Sequence, residues 1–458
     1  MTRRLPNPSS PVTRAGARQR MGGILFGLWL AIVPVKFGNP VIFAAMLGTP
    51  QDFSEMLFAA WPVAWGGIAL CVVALAAGLI SKWSARPPIW IGGALLGWFA
   101  WTILSSFRGE AAALPLIHLT LFQFTGCIVC FAAGLFGLSE LRDWRPVWIG
   151  VALGLAVIVG TALDQHFGGL EATRQWFLEQ PAALRTGLDT PEFRQKMLSD
   201  RVFGTFLYPN ALAGGLLLLL PVALTGIWQW RPSSLLRWGL GGVLAVGSLA
   251  ALYWSRSKSG WLIGLVMAAL ALWRVPGKLK FTLLIGLMGL GIAVFVGSHR
   301  SYFEKGASSL SARLDYWRAA AEMIGRRPLL GYGPGTFQLQ YAAIKPPEAE
   351  MAKLAHNDYL QQGCDSGLPA LLAYSAFILG SIGLLYRGSR RSSLRFSLWL
   401  GAFAFATQGL TEFGLYIPGL AWPFFLFLGW LWGSSDAQDT AGRASLGPIQ
   451  IDKVSPAS

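Results

Sequence analysis

The sequence predicts an all-α integral membrane protein with about 12 transmembrane helices. Of its 458 residues, 54% are apolar and only 13% are charged, and the mean hydropathy is +0.50. Soluble domains carry about 25% charged residues. A helix satisfies its own backbone polar groups in hydrocarbon and needs roughly 20 mostly apolar residues to cross it. The 21 Trp and 28 Phe fit interfacial aromatic belts, and the 55 Gly fit close helix contacts.

Twelve apolar runs divide the chain. They lie near residues 22–43, 57–80, 88–106, 114–137, 146–163, 210–229, 237–254, 259–273, 280–298, 367–386, 395–413 and 418–433. We therefore expect a basic tail at 1–21, helices one to five over 22–163, a first long outer segment at 164–209, a core over 210–433 with a large outer loop at 299–366, and a second tail at 434–458.

Basic residues in the short connections predict the orientation. Five arginines precede the first run, and every second connection after it is basic, so that 20 of the 37 basic residues fall on one side. By the positive-inside rule this side is cytoplasmic and holds both termini. The net charge of +15 is thus spread over connections rather than over one basic face, which argues against a nucleic-acid partner.

The two long segments, 164–209 and 299–366, fall on the opposite, periplasmic side and carry most of the other basic residues. We expect both to contain short amphipathic helices, such as residues 310–324. The apolar stripe predicted there is Leu310, Leu314, Trp317, Ala321 and Ile324.

Three stretches on the predicted periplasmic side have the residue types that bind phosphate or move protons. The first stretch, residues 201–210, contains Arg201 and Asn210 and leads into a span. The second, residues 255–260, contains Arg256 and Lys258 in a predicted tight turn. Guanidinium groups bind phosphate oxygens in pairs, which suits a pyrophosphate. Snorkelling toward lipid headgroups remains the alternative for these two cations.

The third stretch spans residues 311–360. Arg313 lies on the amphipathic helix, where a solvated face is the alternative to phosphate binding. His356 can accept a proton near neutral pH, as a general base must, although a lone loop histidine can also be structural. The four histidines are scattered without metal-ligand spacing, so we expect no metal and no cofactor.

In order and spacing these motifs resemble the bacterial O-antigen ligase/polymerase family. The resemblance covers about residues 200–430. The longer His-Asn pattern matches through Gly367 but has Ala370 at its last position, and Asp365 stands where relatives often carry Glu. The matching motifs are Arg256, Arg313-Leu-Asp-Tyr-Trp317, Pro328-Leu-Leu-Gly-Tyr-Gly-Pro-Gly-Thr-Phe337 and His356-Asn357.

The resemblance implies an inner-membrane glycosyltransferase with a periplasmic active site. It would take a glycan from an undecaprenyl-pyrophosphate carrier and join it to an acceptor sugar, either on lipid A–core or on a growing polysaccharide, with inversion and without metal or nucleotide. Arg256 and Arg313 would hold the pyrophosphate, and His356 would deprotonate the acceptor hydroxyl. The resemblance also implies a set of substrate-binding residues, in which Trp317 and Tyr332 would stack on sugar rings or act as packing anchors. This set is Arg201, Asn210, Lys258, Trp317, Tyr332 and Asn357.

Other functions stay open at this point. A polymerase of the same family has the same donor chemistry. A metal-dependent oligosaccharyltransferase mechanism would use Asp52 and Glu55, although Asp52 is more simply a helix cap. An anion transporter should carry ionisable groups within its spans. The predicted spans are almost free of charged residues, and Lys36 and Glu412 are the main exceptions. A scaffolding membrane protein would not need the cations and His356 together.

Overall fold

A computed structural model describes residues 11–46, 48–83, 85–179, 199–230, 233–298 and 308–445. Within these ranges all regular structure is helical. The α-helices are α1 (Pro11–Lys36), α2 (Phe53–Phe58), α3 (Gly66–Ile80), α4 (Ile89–Ser106), α5 (Leu114–Phe136), α6 (Arg145–Asp164), α7 (Leu170–Glu179), α8 (Pro209–Trp230), α9 (Ser234–Ser255), α10 (Lys258–Leu272), α11 (Leu279–Ser298), α12 (Ser308–Arg326), α13 (Phe337–Ile344), α14 (Asp358–Ser389), α15 (Ser393–Gln408) and α16 (Pro418–Ser445).

Eight helical segments of the described chain are long and apolar enough to cross a membrane. Each predicted run overlaps a helix, and α10 is a shorter apolar helix of 15 residues. The all-α membrane fold is therefore confirmed for the described residues, whereas the count of twelve and the orientation stay predictions. The eight segments are Val63–Ile80, Ile89–Ser106, Ala111–Glu140, Arg145–Gln175, Pro209–Trp230, Ser234–Ser255, Leu279–Gly297 and Asp358–Ser389.

Small residues let the central helices approach closely. Helix α16 packs along α5, and a Cβ added to Gly134 of α5 would stand 2.0 Å from the carbonyl oxygen of Leu426 on α16. Helices α1 and α6 meet in the same way, since a Cβ on Gly150 would stand 1.9 Å from the oxygen of Gly27. Without a hydrophobic driving force between helices in lipid, such close backbone packing is a main source of association.

The helix predicted at 310–324 is confirmed as α12, whereas its location on the outer side stays a prediction. Its buried side differs from the predicted stripe, because Leu310 and Leu314 are exposed while Tyr316, Ala320 and Met323 are buried. Met323 and Ala320 pack with the aromatic rings of α13 in a small outer core. Parts of the two long outer segments, 180–198 and 299–307, lie outside the described residues.

Helix α14 begins at Asp358, before the predicted start at 367, and bends at Gly367, where φ is 81°. A Cβ at this glycine would stand 2.2 Å from the carbonyl oxygen of Leu329, so the loop before α13 can lie against the bend only because residue 367 is glycine. Below the bend, the buried carboxylate of Asp365 accepts hydrogen bonds from Gly335 N (2.9 Å) and the Tyr416 hydroxyl (2.6 Å).

The glycine-rich stretch between α12 and α13 is shaped by these contacts. Gly331, Gly333 and Gly335 all have positive φ, at 60°, 108° and 76°. The Gly333 N–H donates to the Asp365 carbonyl over 2.8 Å, and the Ser105 hydroxyl of α4 donates to the same oxygen over 2.8 Å. This stretch therefore fixes the outer helices α12 and α13 to the bend of α14.

Candidate active site

Glu412 lies at the centre of a polar cluster formed by four separate parts of the chain. It follows α15, which ends at Gln408, and its side chain is only 8% exposed. One carboxylate oxygen accepts hydrogen bonds from the Arg313 guanidinium and from Asn210 Nδ2, the latter over 2.6 Å. The other oxygen, Oε2, lies 3.4 Å from His356 Nδ1. A single buried acid thus faces a cation, an amide and an imidazole.

Arg313 is held in place by two groups of the same connection. Besides its ion pair with Glu412, its Nε donates to the Thr411 carbonyl over 3.1 Å. The Arg313 side chain is 19% exposed, so part of the guanidinium faces outward. Its position on α12 therefore depends on the segment between α15 and α16.

His356 sits on an unusual backbone. Its φ is 50°, a left-handed conformation that costs about 1–2 kcal/mol for a residue with a Cβ. The next residue, Asn357, caps the N-terminus of α14: its Oδ1 accepts from the N–H groups of Tyr359 and Leu360 at 3.0 Å, and its Nδ2 donates to the Leu410 carbonyl over 2.9 Å. The Asn357 side chain thereby fixes the backbone beside His356.

Aromatic rings flank the imidazole of His356 on two sides. The Tyr316 ring stacks on it, with centroids 5.6 Å apart, and the Phe413 ring meets it edge-on at 4.7 Å. Since the carboxylate of Glu412 faces Nδ1, the tautomer with its proton on Nδ1 is favoured and Nε2 carries the lone pair. The side chain of His356 is 25% exposed, so the imidazole is oriented without being sealed.

Arg201 joins this cluster through Asn210 at the start of α8. The Arg201 Nη2 donates to Asn210 Oδ1 over 2.9 Å, and its Nε donates to the Ser255 carbonyl over 2.8 Å. Asn210 therefore bridges Arg201 and Glu412. Ser255 ends α9, so the same arginine also fixes the turn that carries Arg256.

Arg256 occupies the turn between α9 and α10. Its φ is 50°, and its side chain is exposed. The turn is tight because the Ser257 hydroxyl caps α10, accepting from Gly260 N over 3.3 Å. Among described non-glycine residues only Trp83, Arg256 and His356 have positive φ. Sparsely populated backbone conformations persist where the surroundings impose them and cluster at functional sites.

The cations lie close enough to affect one another. Burial lowers the pKa of Arg201 to about 10, with Glu412 raising the pKa and the charges of Arg313 and Arg256 lowering it further. Lys258, on the first turn of α10, is repelled by Arg201 and Arg313. Four cations thus lie within electrostatic range of Arg201 or Arg313, whereas the one carboxylate among them, Glu412, is paired with Arg313. This excess of positive charge suits a polyanionic ligand.

Glu412 stays ionised although it is buried. Burial alone raises its pKa, but the ion pair with Arg313 and the neighbouring His356 outweigh burial, so that the pKa is lowered from 4.5. The ionised carboxylate therefore orients both groups at neutral pH. Glu412 can hold His356 and Arg313 in one geometry, while the side chain of Arg256 is exposed.

The structure separates the two predicted sugar-stacking residues. Trp317 lies beside the site, and its Nε1 is 3.5 Å from the His356 carbonyl. Tyr332 belongs to the glycine-rich stretch: its N–H donates to the Cys364 carbonyl, and its ring lies under the Arg327 guanidinium at 4.4 Å. Among the described contacts, those of Tyr332 do not reach the cluster around Glu412.

Sequence reasoning missed the central role of Glu412. The only signal was an isolated acid at the end of an apolar run, on the side of the predicted site. The other ionisable exception within the spans, Lys36, is also engaged, because it donates to the carbonyls of Leu57 and Ala59. Asp52 caps α2 by accepting from Glu55 N over 2.7 Å, as the simpler interpretation predicted.

The comparisons with known proteins agree with the motifs. Residues 243–375 match the family model described as O-antigen ligase. No curated protein matches the chain. The matched residues include Arg256, Arg313 and His356, whereas Arg201, Asn210 and Glu412 lie outside them. The resemblance predicted from the sequence is confirmed over this segment.

Proposed function

We propose that this chain, which carries an O-antigen ligase domain at residues 243–375, transfers a glycan from an undecaprenyl-pyrophosphate carrier to an acceptor sugar at the periplasmic face of the inner membrane. The observation that carries the proposal is the cluster itself. A histidine oriented by a buried carboxylate shares that carboxylate with Arg313, and the charges of Arg201, Arg256 and Lys258 act within the same group of cations.

The cations suit the pyrophosphate of the donor. Arg256 is exposed on a rigid turn, and Arg313 is partly exposed beside the imidazole. Bound to the phosphate oxygens, they offset the negative charge that develops on the leaving group as its bond to the sugar breaks. In many enzymes, preorganised charges of this kind lower the activation barrier more than any other effect. Arg201 and Lys258 add to the same field.

His356 is the proposed general base. Its Nε2 takes the proton of the acceptor hydroxyl while the hydroxyl oxygen bonds to the anomeric carbon of the donor sugar. The bond from that carbon to the pyrophosphate oxygen breaks, and its electron pair leaves with the carrier. The attack comes from the face opposite the leaving group, so the anomeric centre inverts. Glu412 acts as a positioning residue, holding Nδ1 and stabilising the imidazolium that forms.

Ligation to lipid A–core is the proposed outcome of this transfer. Since the donor chemistry is shared, a polymerase that adds repeats to a growing chain is the second form of the proposal. The surface-polysaccharide ladder of a deletion strain distinguishes them. Loss of all banding with accumulated carrier-linked polymer indicates a ligase, whereas lipid A–core bearing one repeat indicates a polymerase.

The direct test uses substitutions that tolerate the left-handed backbone. Asparagine adopts positive φ more readily than most residues. His356→Asn and Arg256→Asn therefore remove the imidazole and the guanidinium while the backbone conformation stays accessible. We expect His356→Asn to slow glycan transfer about 10²–10⁴-fold, as for loss of a general base. Arg256→Asn is expected to cost about 10²–10³-fold, with partial recovery in Arg256→Lys.

The measurement is surface-glycan display in a complemented deletion strain, with membrane levels of each variant checked. Arg387→Gln, an exposed arginine on the predicted cytoplasmic side, is the matched control and should display glycan normally. Full display by His356→Asn or Arg256→Asn would refute the glycan-transfer mechanism. Uptake of a radiolabelled anion without any glycan defect would favour the transporter instead.

A further inference from the structure

A second basic site lies about one membrane thickness from the candidate active site. Helix α8 contains Asn210 in its first turn and ends at Trp230, and its 22 residues give a length of about 33 Å at 1.5 Å per residue. At the far end, a cleft of about 260 Å³ opens between the start of α6, the end of α8 and the start of α15. This is slightly below the roughly 300–1,000 Å³ of small-molecule sites.

The cleft lies at the ends of several helices. Helix α6 starts at Arg145, α8 ends at Trp230 and α15 starts at Ser393, so three helices change to connections around it. The sequence predicts this end to be cytoplasmic. Trp144, Trp148 and Trp230 line the cleft, and tryptophan is enriched where membrane and water meet.

The walls of the cleft are fixed. The Trp148 side chain is buried, and a Cβ on Gly226 of α8 would stand 2.7 Å from its ring. The Trp144 ring meets that of Trp430 on α16 edge-on at 4.9 Å. These rings give the cleft an apolar, rigid side, against which glycerol and the first acyl carbons of a lipid can pack.

The other side of the cleft is charged. Arg142 and Arg145 line it and are exposed. The one acid among the lining residues, Asp143, lies 3.9 Å from Arg145 and is 65% exposed. Guanidinium forks bind phosphate oxygens, and the amide of Gln229 lies in the same lining, where it can donate to a phosphate or a glycerol hydroxyl.

We propose that this cleft binds the phosphate group of an anionic phospholipid such as phosphatidylglycerol. Phosphate recognition alone would also suit a soluble phosphate. The tryptophan wall and the position at the ends of the helices favour the lipid. Basic pockets between membrane helices on the cytoplasmic side are known to take anionic headgroups.

The test is phosphatidylglycerol retention by the full-length protein, measured by native mass spectrometry and by titration in phosphatidylcholine nanodiscs. We expect Arg142→Gln and Arg145→Gln each to weaken binding about fivefold, the value for one arginine near an anionic surface. Asp143→Asn should strengthen it to a similar extent, because it removes the competing carboxylate. Arg387→Gln, which makes the same charge change outside the cleft, should leave binding unaltered.

The outcomes separate the possible ligands. Equal retention by wild type, Arg142→Gln and Arg145→Gln would overturn the proposal, as would equal losses in Arg387→Gln, which would indicate only a general surface field. Displacement of the lipid by millimolar inorganic phosphate would assign the cleft to a soluble phosphate. Because the readout is lipid binding, it is independent of glycan transfer.

Discussion

The two ends of the helix bundle use the same residue types in different ways. At the active-site end, the ion pair between Arg313 and Glu412 has side chains only 19% and 8% exposed. At the opposite end, Arg145 and Asp143 are 74% and 65% exposed and 3.9 Å apart. Water solvates the charges of the second pair, so either residue can be replaced with little loss of stability. The first pair is largely removed from water, so each member depends on the other.

Removing Glu412 should produce the largest loss of stability. Glu412→Ala leaves Arg313 and Asn210 without their acceptor in a largely buried setting, and breaking such a pair costs about 3–5 kcal/mol. The free energy of unfolding in detergent micelles, from denaturant titration, measures the loss. A cost near that of an exposed pair would mean that water reaches the cluster and that the two ends do not differ.

Acidification should distinguish the ends in the same manner. The pKa of Glu412 is lowered from 4.5, so its ionised form stabilises the fold above pH 4.5. That stabilisation is lost as the pH falls through the lowered pKa. The gap in Tm between wild type and Glu412→Gln should therefore be widest near neutral pH and close progressively below about pH 4.5.

Asn210→Ala should have an intermediate effect. It removes the bridge between Arg201 and Glu412, and hydrogen bonds to charged groups contribute about 1.5–3 kcal/mol. The expected signature is a lower Tm together with slower glycan transfer, since Arg201 also holds the turn of Arg256. Unchanged transfer at lowered stability would limit Asn210 to a structural role.

Arg145→Gln should have the smallest effect on stability. Exposed substitutions away from special features usually fall within about 0.5 kcal/mol, and exposed ion pairs contribute little. The Tm of purified Arg145→Gln checks this. A drop as large as that of Asn210→Ala would show that the opposite end also contains a tightly coupled network.

The sequence predicted the helices well because apolar runs are local signals. It also predicted Arg201, Arg256, Arg313 and His356, which the structure brings together. The centre of the site escaped prediction, because Glu412 meets Arg313 and Asn210 from 99 and 202 residues away. No local pattern identifies such partners.

The backbone conformation around the site could not be predicted from the sequence either. The glycine-rich stretch was recognised as a motif, but its dependence on Asp365 and on the bend at Gly367 appears only in three dimensions. Trp317 and Tyr332 were both predicted to stack on sugar rings or act as packing anchors, yet only Trp317 lies beside His356. Aromatic side chains serve packing and stacking equally, so the sequence cannot separate the two roles.

The position of Glu412 late in the chain has a consequence for biogenesis. Arg201, Asn210, Arg313 and His356 all emerge from the ribosome before it, and domains form from the N-terminus as synthesis proceeds. Until residue 412 is in place, the nascent chain carries an arginine and a histidine without the carboxylate that holds them. Chains that end before residue 412 therefore lack the carboxylate that holds Arg313 and His356.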